Sequence, residues 1–245
     1  MKEIFYSSEV IAFDSARNDF SPDRDRCHIM GNLVKPERLC VLGTGTPSIA
    51  IWSDSHGVEL GYALSKLSPV LMATYSGCPP APGLTNSARI FRYEHNEIML
   101  NYLENTPDIR TVIMAASYEG NIDLPSFRSG FSQAVSLLQA NGKHVIIVGP
   151  IPTPGFNVPT ALARGLDTTF PSYIFERSNA DVLPWIEKLA GIQGASVIYP
   201  HEMFCDEVDC TLIDDINQPV LFDDIHLSVS GARLIANEVY SIIEK

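Results

Sequence analysis

Three side chains in this sequence have the types and spacing for nucleophilic chemistry: Ser55, Asp223 and His226. A serine hydroxyl is a weak nucleophile at neutral pH. It needs an imidazole within hydrogen-bond reach to take its proton, and that imidazole needs a carboxylate to fix its tautomer. Ser55 lies in Ile49-Ala50-Ile51-Trp52-Ser53-Asp54-Ser55-His56-Gly57, where an apolar run stops at small and polar residues. That reads as a buried strand ending in a sharp turn, the place where chemistry gathers in parallel sheets. A helix after the turn would aim backbone N–H groups and its positive dipole end at a developing oxyanion. Asp223 and His226 stand three apart in Phe222-Asp223-Asp224-Ile225-His226, ahead of an amphipathic closing helix that begins near Val229. In a single turn the Asp223 carboxylate reaches one imidazole nitrogen and leaves the other for the serine; Asp224 competes for that orienting role. So short a pattern also arises elsewhere, at Asp25-Arg26-Cys27-His28.

Asp54-Ser55-His56 near the start, with Asp223-x-x-His226 near the end, resembles the first and last sequence blocks of the SGNH/GDSL hydrolase superfamily. Further stretches resemble one branch of it: Arg26-Cys27-His28, Cys40-Val41-Leu42-Gly43, Cys78-Pro79-Pro80, Pro152-Thr153-Pro154-Gly155-Phe156-Asn157-Val158-Pro159, and Cys205 with Cys210. That branch is the extracytoplasmic SGNH domain fused to type-3 membrane acyltransferases, of the O-antigen acetylase kind. The resemblance implies an O-acyltransferase that carries acetyl from an acyl donor to a surface polysaccharide such as O-antigen. It would work through an acyl-serine intermediate without a cofactor, beside a fused or adjacent transmembrane acyltransferase, on the periplasmic face. A stand-alone carbohydrate esterase and a non-catalytic glycan-binding module are the alternatives. The resemblance also implies an oxyanion hole built from the backbone N–H groups of Ser55 and Gly77 and a side chain from the loop 117–121. The chain departs from the family in two places. Ser53 stands where the family has glycine, and Tyr118 stands where it has asparagine, with Asn121 three residues late; Asn121 and Tyr118 are both candidate donors.

Positioning these groups requires a scaffold, and the apolar runs supply one. Strands are expected at 49–52, 69–75, 111–116, 143–149 and 195–199, and helices at 57–66, 88–105, 127–141 and 179–189. Five strand-to-helix alternations argue for an α/β fold, a three-layer α/β/α sandwich with a five-stranded, mainly parallel sheet. Pro150, Pro152, Pro154 and Pro159 forbid continued regular structure and read as a stiff wall of the cleft, with Phe156 and Asn157 available for substrate contacts. Residues 1–25 show no sustained period and read as an arm or linker ahead of a domain at 26–245. Gly43-Thr44-Gly45 lacks the third glycine and the immediate helix of a dinucleotide fingerprint.

Bulk properties narrow the classes. A chain of 245 residues with a formal net charge of −12 and no basic run is not built for nucleic acid, which is bound through Lys and Arg. No stretch approaches the roughly 20 apolar residues of a membrane helix, and Met1-Lys2-Glu3-Ile4 opens no signal peptide, which taken literally means cytoplasm. The cysteines point the other way. Cys27 with Cys40, and Cys205 with Cys210, are close enough in sequence to be bridged locally. A 27–40 bridge would contribute about 3 kcal/mol in the chain-entropy model. Disulfides persist outside the reducing cytosol, so the pattern suggests a domain cut from a longer exported or membrane-anchored chain, with Met1 an added start. The alternative is buried reduced thiols throughout. Cys78 is the odd one, since residues 89–93, where the resembled branch carries a further cysteine, contain none. Zinc is poorly supported, because only one loose C-x4-C pair is present and no metal site is expected.

Overall fold

A computed structural model of the chain describes residues 7–33, 35–84 and 90–245. All five expected apolar runs form strands there. In chain order, α1 (Ser8–Ser15) and the single turn α2 (Arg24–Cys27) precede β1 (Cys40–Leu42) and β2 (Ile49–Ser53). Then come α3 (Val58–Leu64), β3 (Val70–Thr74), α4 (Ile90–Asn105), β4 (Thr111–Ala115), α5 (Pro125–Ala140) and β5 (His144–Val148). The remainder is α6 (Val158–Ala163), β6 (Thr169–Pro171), α7 (Ser172–Ser178), α8 (Val182–Gln193), β7 (Ser196–Ile198), α9 (His201–Phe204), β8 (Asp209–Thr211) and α10 (Val229–Ile243). Residues 88 and 89 of the helix expected at 88–105 lie outside the described residues, as does Met1.

Among the described residues the sheet has six strands rather than five, in the order β1-β3-β2-β4-β5-β7. The extra strand, β1, runs antiparallel at the edge beside β3, while the other five are parallel. A separate antiparallel pair joins β6 to β8. The parallel strands read as apolar runs because both faces are covered. Ile49 and Ile51 of β2 join Leu60 and Leu64 of α3 and Ile235 and Val239 of α10 in one buried cluster. Ala50 and Trp52 join Met99 and Leu103 of α4, Phe131 and Leu138 of α5 and Ile186 of α8 in the other.

Because β3 lies on one side of β2 and β4 on the other, the chain order reverses at β2. In open α/β sheets such a reversal opens a crevice at the carboxyl ends of the flanking strands. The nucleophile candidate Ser55 follows β2 at that crevice. The proline-rich stretch is less irregular than expected. Pro159 sits in the first turn of α6, where its missing N–H lacks an intrahelical partner in any case, and Asn157 caps the helix by accepting from the Thr160 amide at 3.0 Å. Asn157 is therefore a helix cap, and Phe156 packs against the core. Cys27 is bridged to Cys40 and Cys205 to Cys210. Cys78 is buried.

Candidate active site

β2 ends at Ser53, and the chain then turns through Asp54 and one 3-10 turn, Ser55–Gly57, into α3. A serine in place of glycine at 53 crowds this turn, and the room comes from Gly57. A Cβ at Gly57 would fall 2.5 Å from the Ser53 Cβ and 2.7 Å from its Oγ. Asp54 organises the turn. One carboxylate oxygen, Oδ1, accepts from the His56 amide at 3.0 Å and lies 3.0 Å from His56 Nδ1; the other, Oδ2, accepts from the Ser117 amide at 2.8 Å. Burial alone would raise the Asp54 carboxyl, but the His56 charge and these hydrogen bonds outweigh it and hold the group below its ordinary value. For His56 burial acts downward, and Asp54 overrides it to leave the imidazole above its usual value.

Ser55 Oγ lies 2.9 Å from His226 Nε2, and His226 Nδ1 lies 2.8 Å from Asp223 Oδ2. Asp223 also shapes the backbone that presents the ring. Its Oδ1 accepts from the Ile225 amide at 2.9 Å and the His226 amide at 2.7 Å, closing an Asx-type turn. Burial pushes the Asp223 carboxyl up, yet these bonds and the His226 ring keep it below the ordinary carboxylate range. Asp224 is exposed and makes no hydrogen bond among the described residues. The loop is anchored on both sides. The Val158 amide donates to the Asp223 carbonyl at 3.1 Å, and Ser228 caps α10 by accepting from the Gly231 amide at 2.9 Å.

After β3, the Tyr75 amide donates to the Ser53 carbonyl at 3.1 Å, holding that loop against the end of β2. Gly77 follows with φ of 55°, a conformation that favours glycine. The amide groups of Ser55 and Gly77 have no hydrogen-bond partner among the described residues. The loop after β4 departs from expectation. The Tyr118 hydroxyl donates to the Val148 carbonyl at 2.8 Å, buried beside Phe127, Phe131 and Trp185, so Tyr118 belongs to the core and supplies no donor here. The Asn121 amide closes its own turn by donating to the Ser117 carbonyl at 2.7 Å.

What sequence reasoning missed is the second histidine. The His56 ring centroid lies 5.0 Å from that of His226. His56 also lines a cavity of about 50 Å³ with Ser117, Glu119, Thr153 and Ile225. The signal was present, since Asp54 and His56 flank the serine directly.

The SGNH domain family, described as fused to AT3 domains, matches residues 26–241. Among solved structures, the lipopolysaccharide acetyltransferase periplasmic domain of Salmonella ser. Paratyphi A superposes with a TM-score of 0.72 at 16% identity, covering 97% of this chain and 98% of that one. TesA gives a TM-score of 0.48 at 11% identity over 79% of this chain and 96% of its own. A GDSL-like lipase from Bacteroides thetaiotaomicron gives 0.46 at 11% identity over 82% and 92%. No curated protein sequence matches the chain significantly. With the family model spanning residues 26–241, the chain belongs to the SGNH domain family, the SGNH domains fused to AT3 domains.

Proposed function

We propose that this domain transfers an acyl group through an ester on Ser55. The observation that carries the reading is the continuous line from Ser55 Oγ to His226 Nε2, at 2.9 Å, and from His226 Nδ1 to Asp223 Oδ2, at 2.8 Å. The Ser55 oxygen attacks the acyl carbonyl while its proton passes to His226 Nε2. Asp223, accepting from Nδ1–H, fixes the tautomer and stabilises the imidazolium. The backbone N–H groups of Ser55 and Gly77 are the donors assigned to the oxyanion. As the tetrahedral species collapses, His226 returns the proton to the departing oxygen and the acyl group stays on Ser55. An acceptor hydroxyl then gives its proton to His226, attacks the acyl carbonyl, and Ser55 leaves reprotonated.

The acceptor in this reading is a hydroxyl of a surface polysaccharide and the group is acetyl. Membership in a family fused to AT3 domains supports a membrane acyltransferase partner as the acyl source. The polar groups in the cavity beside the site, from His56, Ser117, Glu119 and Thr153, suit a hydroxyl-rich ligand. Two disulfides favour an extracytoplasmic location. Residues 26–245 are the catalytic unit in this proposal and residues 1–25 its arm. The second reading, hydrolysis, differs only in that water relieves the acyl-enzyme.

The test is Ser55→Ala assayed with p-nitrophenyl acetate, together with intact-mass detection of an acetylated enzyme. The variant is expected to lose turnover by about 10⁴-fold and to form no acyl adduct. Retained turnover overturns the assignment. Absence of fluorophosphonate labelling at Ser55 in the unaltered protein would instead favour a glycan-binding module.

A further inference from the structure

The segment 19–31 touches α3, the loop after β3, Phe222 and the start of α10, and one residue in it bridges the two halves of the triad. Arg24 Nη1 pairs with Glu59 Oε1 at 2.6 Å, and Glu59 stands on α3, four residues beyond Ser55. The same guanidinium lies over the Phe222 ring, 5.4 Å from its centroid. Phe222 in turn lies flat against the His226 imidazole, with centroids 5.5 Å apart and planes within 8° of parallel. The Phe20 ring also packs on Phe222, tilted by 58° with centroids 5.6 Å apart. Other residues of the segment hold the start of α10 and the loop after β3. The Asp19 carbonyl accepts from the Val229 amide at 2.8 Å and its carboxylate from the Ser230 amide at 3.1 Å, at the start of the helix that follows His226. The Ile29 amide donates to the Thr74 carbonyl and the Ile29 carbonyl accepts from the Ser76 amide, both at 2.9 Å, on the loop that leads to Gly77.

Glu59 is about 1% exposed, so loss of Arg24 would leave its carboxylate in the interior without a countercharge and with only the Ser21 amide, at 3.4 Å, to bond it. That fixes the guanidinium, and a fixed planar cation over an aromatic face restrains the ring beneath it. Phe222, in contact with both Arg24 and Phe20, then limits how the imidazole stacked on it can tilt. We propose that Arg24 and Phe222 are positioning residues that hold His226 in line with Ser55, an inference that rests on the reading of those two as base and nucleophile. Neither needs to touch substrate. They act through the orientation of one ring, and a displacement of about 1 Å at a reacting pair can cost about 100-fold in rate.

The experiment measures fluorophosphonate labelling of Ser55 at saturation, separating the maximal rate from the half-saturating probe concentration, with thermal melts on each variant. Phe222→Leu is expected to lower the maximal rate by about tenfold with half-saturation little changed, and Phe222→Tyr, which keeps the stacked ring, to restore it. Arg24→Gln is made together with Glu59→Gln so that no buried charge is stranded. This double variant is expected to show the same fall in maximal rate, and it decides the matter should Phe222→Leu not fold. A folded Phe222→Leu protein labelled at the unaltered rate overturns the inference. So does an equal loss in Phe222→Leu and Phe222→Tyr, or a double variant labelled normally. Failure of the unaltered protein to label at Ser55 removes the nucleophile reading and this inference with it; normal labelling of both the unaltered protein and Phe222→Leu removes the inference alone.

Discussion

Asp54 Oδ2 accepts the Ser117 amide hydrogen at 2.8 Å, so the carboxylate beyond the end of β2 ties the serine turn to the loop beyond the neighbouring strand, β4. The other oxygen serves His56, through both its amide and its ring. An asparagine offers a single acceptor, and its NH₂ group would face an N–H donor on one side or the other. Asp54→Asn is therefore expected to destabilise the fold by about 1–3 kcal/mol in urea titration and to slow Ser55 labelling by about tenfold. Unchanged values for both would mean that the tie does not hold the two loops in register.

The two adjacent carboxylates at 223 and 224 separate cleanly. Asp223 reaches the imidazole and two backbone amides, whereas Asp224 is exposed without a hydrogen bond among the described residues. Asp223→Asn is expected to lower p-nitrophenyl acetate turnover by about 10⁴-fold, because an amide cannot hold the base in the required tautomer. Asp224→Asn is expected to stay within about twofold of the unaltered protein. Equal losses in the two variants would sink the assignment of roles.

Gly57 and Ser53 share one space. A methyl at 57 would meet Ser53 Cβ at 2.5 Å, Ser53 Oγ at 2.7 Å and Ile51 Cγ2 at 2.9 Å. Gly57→Ala is expected to cost about 1–3 kcal/mol through overpacking. Adding Ser53→Gly removes two of the three clashes and is expected to recover most of that loss, giving a coupling energy of about 1 kcal/mol or more in a double-mutant cycle. Additive effects would show that the turn tolerates the two changes independently.

The parallel strands were legible because they are covered on both faces and so read as unbroken apolar runs. β1 was not. It is three residues long at the sheet edge, with Val41 38% exposed, and nothing in Cys40-Val41-Leu42 distinguishes it from a loop. α1 escaped for a related reason: Phe13 is its single buried residue, so no apolar period marks it. In the site, the local relation of Asp223 to His226 follows from a spacing of three, but the same spacing at Asp25 and His28 leads elsewhere. Asp25 is exposed, while His28 is buried with Nδ1 3.0 Å from Thr74 Oγ1. Only tertiary structure distinguishes the two pairs. Ser55 and His226 are 171 residues apart, and their contact follows from the strand order. Tyr118 was misread because its place after β4 suggests a site loop, whereas its ring turns inward to the Val148 carbonyl. The links from Arg24 to Glu59 and Phe222 join segments remote in sequence and leave no trace in any local pattern.

Acid sensitivity follows from a histidine that the proposed chemistry does not use. His95 on α4 is about 1% exposed, its ring centroid lies 4.8 Å from that of Tyr75, and neither ring nitrogen has a hydrogen-bond partner among the described residues. Burial lowers its pKa from 6.5 to about 4. Above pH 6.5 the imidazole is neutral whether the chain is folded or not, and it contributes nothing to pH dependence. As the pH falls from 6.5 to about 4 the unfolded chain takes up a proton that the folded chain refuses, so stability is lost across that window. The full effect is on the order of 3 kcal/mol. His28, lowered to about 4 chiefly by burial and then by Arg24, acts in the same direction. His95→Leu removes one of these protons from the balance, and the drop in unfolding free energy between pH 7.5 and pH 4.5 is expected to shrink by about 2–3 kcal/mol in urea titrations. A drop as large as in the unaltered protein would mean that His95 accepts its proton in the folded state, and the acid sensitivity in this window would then lie with His28, while the lowered carboxylates of Asp54 and Asp223 lose their contribution only at lower pH.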